Sequence, residues 1–242
     1  IKATVKPATG ERNALWYNPM TDEFNRADVY NNGIMINLRS GESRILLSSG
    51  RSLNDWGISD SIARAPYRKY TDEDCRTIDI TEGKWSLSFT EEVPKVKQRY
   101  KLNRLQTWEN LGDSAAVTMG TGVYTTSFKL SAEDSRRNWQ IDLGDVRESA
   151  RVYINDRYVG CTWAVPFVLD CKNALRKGRN TIRIEVTNLP ANRIADMERR
   201  GIKWRKMKEI NMVDINYKKT TYENWAPVAS GLNGSVILRE IK

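Results

Sequence analysis

Short runs of strict apolar–polar alternation narrow the possible folds of this chain more than any other feature. Trp139, Ile141 and Leu143 alternate with polar neighbours, as do Val152 and Ile154. Ile182, Ile184 and Val186 follow the same rule, and so do Val236 and Leu238. Successive side chains of a strand point to opposite faces, so such runs describe strands with one buried and one wetted face. Turn chemistry separates them. Asn155-Asp156 divides Ala150–Ile154 from Tyr158–Trp163, and both residue types tolerate the positive φ of a two-residue hairpin turn. Gly178 marks a further turn before Thr181–Val186. Nothing alternates strands with helices as a parallel α/β barrel would. The pattern predicts an all-β fold, an antiparallel β-sandwich of the jelly-roll kind.

Within that class the chain divides in three. Residues 81–242 carry the sandwich pattern. Residues 51–80 lack periodicity, contain several breakers and read as a connection. Residues 1–50 hold three strand-like stretches, Ala14–Tyr17, Ile34–Leu38 and Arg44–Leu47, joined by Asn18-Pro19 and Asn32-Gly33 turns. Three short strands are too few to stand alone. They are expected to pack on the main domain or complete a preceding β domain, as an N-terminal β extension. The chain opens on Ile1 rather than methionine, as expected of a piece of a longer polypeptide. No apolar run approaches the ~20 residues needed to span a bilayer.

The sequence contains no histidine, which removes the Ser-His-Asp triad, the Cys-His dyad and every histidine-based zinc site. Cys75, Cys161 and Cys171 lack C-x-x-C spacing. Cys161 and Cys171 flank one strand-like stretch, which leaves two readings: a disulfide in an oxidising compartment, or buried free thiols. The acids Asp142, Asp145 and Asp170 near strand ends leave room for structural calcium, but isolated acids do not make a cage. Metal content stays unknown at this stage, and no cofactor is implied.

The net charge of +9 raises the question of a polyanionic partner. Between Arg193 and Lys219 nine Lys/Arg face four acids, and the run Arg199–Lys208 holds six Lys/Arg and no acid. Nucleic-acid recognition would bring a helix-turn-helix, an RRM or a zinc motif with such a footprint, and none is present. A solvated face is the plain reading of this run, and docking or an acidic polysaccharide is the functional one. The stretch 189–229 breaks the strand pattern. Its scattered apolar residues suggest short helical turns inside a long loop; loops of that length are usually functional or disordered, and those apolar residues argue against disorder.

The residues in order resemble a known family. Gly122–Leu130, with Tyr124 and Phe128, resembles a strand region of the sugar-binding domains of glycoside hydrolase family 2. Ile141–Val146, Ser149–Asn155, Val159-Gly160, Pro166-Phe167, Leu175–Ile182 and Val186–Asn188 follow in the family's order. Ser230-Gly231-Leu232-x-Gly234-x-Val236 is similar to the family's closing motif, with Ser235 where a proline is usual. Trp16–Thr21 and Ser40–Ser43 resemble the C-terminal region of bacterial α-L-rhamnosidase-like hydrolases. The resemblance implies a galactose-binding-domain-like jelly roll from a larger glycoside hydrolase, periplasmic or extracellular. Its catalytic carboxylates would lie in a separate domain of the same polypeptide. This chain would then bind or frame carbohydrate, or serve as a spacer with no sugar site.

Sugar recognition needs an apolar face for C–H groups and planar polar groups for hydroxyls. Asn188, Asn192, Arg193 and Asp196 supply a polar set at the exit of the Ile182–Val186 strand. The family resemblance makes Asp196 the match for an acid that approaches the active site. The plain alternative is turn satisfaction by the asparagines and a local Arg193–Asp196 ion pair. Trp163, Trp204, Tyr222 and Trp225 are the aromatic candidates, and Trp225 leads because Tyr222, Glu223 and Asn224 cluster beside it. Trp139, Phe128 and Phe167 fall on inward positions. A glycosidase pair needs two carboxyls roughly 5–9.5 Å apart, and Asp196, Asp214 and Glu223 share one region, but no motif joins them.

Overall fold

The computed structural model describes residues 1–7, 13–27, 29–30, 33–49, 57, 75–206, 216, 218 and 220–241. Asn32, most of the connection 51–80, and Met207, Lys208, Ile210 and Asp214 lie outside them, with the readings made on them. By its own contacts the chain forms two units. One comprises 1–77, 164–166 and 239–242, and the other comprises 78–163 and 167–238.

The first unit is richer in strands than the sequence suggested. It holds β1 (Lys2–Val5), β2 (Asn13–Asn18), β3 (Glu23–Arg26), β4 (Val29–Tyr30), β5 (Gly33–Asn37) and β6 (Ile45–Ser49). These pair with one another in two three-stranded antiparallel sheets, ordered β1-β5-β4 and β3-β2-β6. Strands β1, β3 and β4 are two to four residues long, too short for alternation to register. The Asn18-Pro19 turn forms as expected: the Asn18 side chain accepts the Met20 N–H at 3.0 Å, and Asp22 takes a positive φ of 56°. Ala14, Trp16, Ala27 and Ile34 form this unit's small core.

The second unit is an antiparallel sandwich. Its strands are β7 (Thr77–Asp79), β8 (Trp85–Val93), β9 (Tyr100–Leu102), β10 (Met119–Leu130), β11 (Trp139–Asp142), β12 (Val146–Arg147), β13 (Ser149–Ile154), β14 (Arg157–Thr162), β15 (Val168–Asp170), β16 (Gly178–Thr187), β17 (Gly231–Leu232) and β18 (Ile237–Glu240). One sheet runs β14-β13-β16-β10-β8-β9, the other β15-β11-β18-β7, and β12 and β17 make a separate pair. The alternating residues meet in one core: Trp85, Leu87, Tyr124, Val152, Ile182 and Ile184 from the first sheet, and Trp139, Ile141, Leu169 and Leu238 from the second. Phe167 joins them, and Phe128 packs against the edge. Among the described residues no helix is long and apolar enough to cross a membrane.

Two places show how local chemistry seats the sheets. Asn155 and Asp156 take φ of 51° and 64°, and Ile154 pairs directly with Arg157 across a two-residue loop. The Asn155 amide donates to the Ala174 carbonyl at 2.9 Å and to Asn180 Oδ1 at 2.8 Å, so the hairpin tip is tied to the turn before β16. Gly231 has φ of 99°, and a β-carbon there would stand 2.3 Å from Trp108 Nε1 and 2.6 Å from the Tyr124 hydroxyl. The closing Ser-Gly-Leu therefore needs its glycine both for backbone angle and for space.

Candidate functional site

Among its described residues, the stretch expected to form short helical turns holds one well-formed helix. A small helix, α1 (Asp113–Ala116), precedes β10, and the second, α2 (Ala191–Arg199), follows β16 directly. Pro190 sits at the start of α2, where a missing N–H costs nothing. Gly201 ends it at φ 66°. The Gly201 N–H reaches the Glu198 carbonyl at 2.9 Å and the Ile202 N–H reaches that of Met197 at 2.8 Å, the paired bonds of a Schellman stop.

One face of α2 holds the returning segment 222–230. Asn192, only 6% exposed, behaves as a strand edge would. Its Nδ2 donates to the Val228 carbonyl at 2.8 Å, and its Oδ1 accepts the Val228 N–H at 2.8 Å. The same Nδ2 donates to Glu109 Oε1 at 3.1 Å, and Glu109 Oε2 accepts the Ser230 N–H at 3.3 Å. Asn188 completes this end. It accepts from Gly120 N at 3.0 Å and donates to the Thr118 carbonyl at 3.0 Å and to Ser230 Oγ at 3.2 Å. Beneath it the buried Tyr124 hydroxyl accepts from Trp108 Nε1 at 2.7 Å and from Leu232 N at 3.1 Å. Burial there pushes the Tyr124 phenol up to about 12.

The far end of α2 holds the aromatic part. Glu198 accepts from the Tyr222 N–H, from Trp204 Nε1 at 3.2 Å and from Arg205 at 3.5 Å. The Tyr222 N–H bond, helped by Trp204 and the Arg205 charge, holds the Glu198 carboxyl below the usual carboxylate range despite partial desolvation. Arg199 Nε donates to the Glu223 carbonyl at 3.0 Å. Trp204, Tyr222 and Trp225 form a chain of rings, with centroids 6.0 Å and then 4.5 Å apart, the second pair edge to face at 71°. The Arg205 guanidinium lies 5.2 Å from the Trp204 and Tyr222 rings alike. Trp225 is 50% exposed at the end of this chain.

Asn192, Arg193, Asp196, Tyr222, Glu223 and Trp225 thus lie on α2 and on the segment it holds. Their chemistry differs along the helix. Asn192 and Asp196 turn their polar atoms inward rather than to solvent: Asp196 is 5% exposed and bonded by Arg193 and by Arg200, each at 2.8 Å. Each carboxylate oxygen of Asp196 is thus engaged by a guanidinium group of its own helix end. Glu223, Asn224 and Trp225 are the solvent-facing members. Trp163 is 62% exposed but joins none of these ring contacts. Glu109 and Glu198 are the residues that sequence reasoning missed. Glu109 bonds Asn192 and Ser230, and Glu198 bonds the Tyr222 N–H, partners too distant in the chain for local spacing to mark.

The remaining chemical candidates are placed as follows. All three cysteines are free thiols, with Cys171 buried and its thiol pushed up by desolvation. Asp142 accepts the Gly144 N–H at 3.0 Å, and Asp145 pairs with Arg147 at 2.7 Å. No group of three or more metal-ligating side chains able to hold an ion occurs among the described residues.

Residues 106–230, just over half of the chain, match the family described as glycosyl hydrolase 2 galactose-binding domain-like. A Formosa agariphila protein provisionally named a β-glucuronidase is 28% identical over 173 residues, 64% of this chain and 15% of that protein. Among solved structures, a rhamnosidase from Novosphingobium sp. PP1Y matches 99% of this chain and 21% of its own at a TM-score of 0.67 and 20% identity. A β-glucuronidase from Bifidobacterium dentium matches 71% of this chain and 31% of its own at a TM-score of 0.50 and 16% identity. The chain therefore spans between a seventh and a third of the relatives it matches. It belongs to the glycosyl hydrolase 2 galactose-binding domain-like family.

Proposed function

We propose that this chain is a non-catalytic, carbohydrate-framing module of a larger glycoside hydrolase of the α-L-rhamnosidase type, working in the periplasm or outside the cell. One observation carries the reading: a half-exposed Trp225 ring, packed edge to face with Tyr222 on a segment clamped to α2. An aromatic ring that is packed on one neighbour and half exposed offers apolar surface to the C–H groups of a sugar, at little further cost in side-chain entropy. Exposed Glu223 and Asn224 supply planar polar groups beside it. The fold shared with the Novosphingobium rhamnosidase over 99% of the chain supports the choice of parent.

The test is calorimetric titration of the chain with rhamnose-containing oligosaccharides. Saturable binding is expected, weakened by Trp225→Ala about fivefold or more, or about 1 kcal/mol, with an unchanged thermal midpoint. A second reading has its own support. Asn192 and Asp196 spend their polar atoms inside the protein, as they would in a purely structural spacer. Absence of binding in both wild type and variant selects the spacer.

A further inference from the structure

The outer face of the six-stranded sheet carries a continuous row that the strand register draws across its whole width. Tyr158 pairs with Tyr153, Tyr153 with Arg183, Arg183 with Thr125, Thr125 with Ser86, and Ser86 with Lys101. Partners across a ladder share a face, so these six side chains stand on one side, opposite the core residues Val152, Ile184 and Tyr124. Six strands about 4.8 Å apart make the row about 24 Å long. Every residue in it is exposed or half-buried.

Its composition is unlike that of a merely solvated face in two respects. The first is aromatic: Tyr158 is 55% exposed, and its ring lies 5.4 Å from that of Tyr153. The Arg183 guanidinium caps the Tyr153 ring at 3.7 Å, a cation–π contact. The second is charge. The same face carries Arg151 beside Glu185, and Lys129 beside Arg179. Among the ladder partners on this face, five cations (Lys101, Lys129, Arg151, Arg179 and Arg183) therefore stand against one acid, Glu185. Glu185 is shared by Arg151 at 3.2 Å and by Arg183, so one carboxylate serves two guanidinium groups and leaves positive charge over.

We propose that this sheet face is a second binding surface, and that its occupant is a uronate-containing polysaccharide lying across the strands. Exposed tyrosine offers a stacking face for sugar C–H groups, the Ser86 and Thr125 hydroxyls offer exchangeable hydrogen bonds, and the surplus guanidinium and ammonium groups meet carboxylates. The extended row suits a chain rather than a single sugar. It lies on the sheet and is independent of the Trp225 site.

Binding of polygalacturonate to the chain, followed by affinity electrophoresis and calorimetry at ~0.05 and ~0.5 M salt, tests the surface. The wild type should bind at low salt and lose affinity at high salt, because exposed charges are screened within a few Å. Tyr158→Ala with Arg151→Gln should weaken binding about tenfold or more, while Trp225→Ala leaves it unchanged. Circular dichroism of each variant checks that the fold persists. Equal affinity of wild type and double variant overturns the proposal. So does a single-stranded oligonucleotide that binds as tightly and is equally weakened by the double variant, since the face would then be a general polyanion patch. Loss on Trp225→Ala alone would assign polygalacturonate to the loop site and likewise reject the sheet face.

Discussion

Asn192 is a side chain used as a piece of backbone. Its amide makes both bonds of a strand edge with Val228, so a segment that forms no regular strand there is still anchored in register. Truncation would leave the Val228 N–H and carbonyl, and one oxygen of Glu109, without this partner in a part-buried place. Asn192→Ala should therefore lower stability by about 1–3 kcal/mol. Trp225→Ala, on an exposed ring, should cost no more than about 0.5 kcal/mol. Urea unfolding of the two variants checks the order, and a Trp225→Ala cost equal to that of Asn192→Ala would mean that the ring is structural. Asp196 belongs to the same inward set. It lies one turn after Asn192, and Arg193 and Arg200 each pair with one of its two oxygens.

At the scale of the element, α2 and segment 222–230 form a clamp fastened at both ends, by Asn192 at one and by Glu198 with Arg199 at the other. The Glu198 end is expected to respond to pH. Its carboxyl is held below the ordinary glutamate range by the Tyr222 N–H, so the folded clamp prefers the anion. A depressed folded value means that the stabilisation is present above the ordinary glutamate range and is lost as pH falls through the folded value. Acid should thus release the aromatic end of the clamp and alter the emission of Trp204 and Trp225. The Glu198→Gln variant should show the altered emission already at neutral pH and lack that acid step. Identical acid transitions in the two proteins would rule out Glu198 as the fastening. The opposite end has no such dependence in its Asn192–Val228 bonds, since neither partner titrates.

At the scale of the molecule, the proposed division of labour places chemistry outside this chain. The isolated chain should not hydrolyse nitrophenyl α-L-rhamnoside. Turnover abolished by Asp196→Asn or Glu223→Gln would make it an enzyme in its own right, although Asp196 is held in an internal pair of salt bridges. Much of the fold was legible in the residues. Alternation at Trp139–Leu143, Val152–Ile154 and Ile182–Val186 determined which side chains face the core, because a strand has only two faces. Asn155-Asp156 and Gly178 determined their turns, because positive φ is a local property. The cluster Asn192, Arg193 and Asp196 was visible as a polar set, but whether those groups face a ligand or the protein was not. That was decided by Glu109, Val228 and Arg200, of which only Arg200 is near in the chain. Alternation likewise says nothing of which strand neighbours which. The row from Tyr158 to Lys101, the Glu198 fastening and the Trp204–Tyr222–Trp225 chain exist only because tertiary pairing brings together residues whose separation in sequence carries no periodic signal.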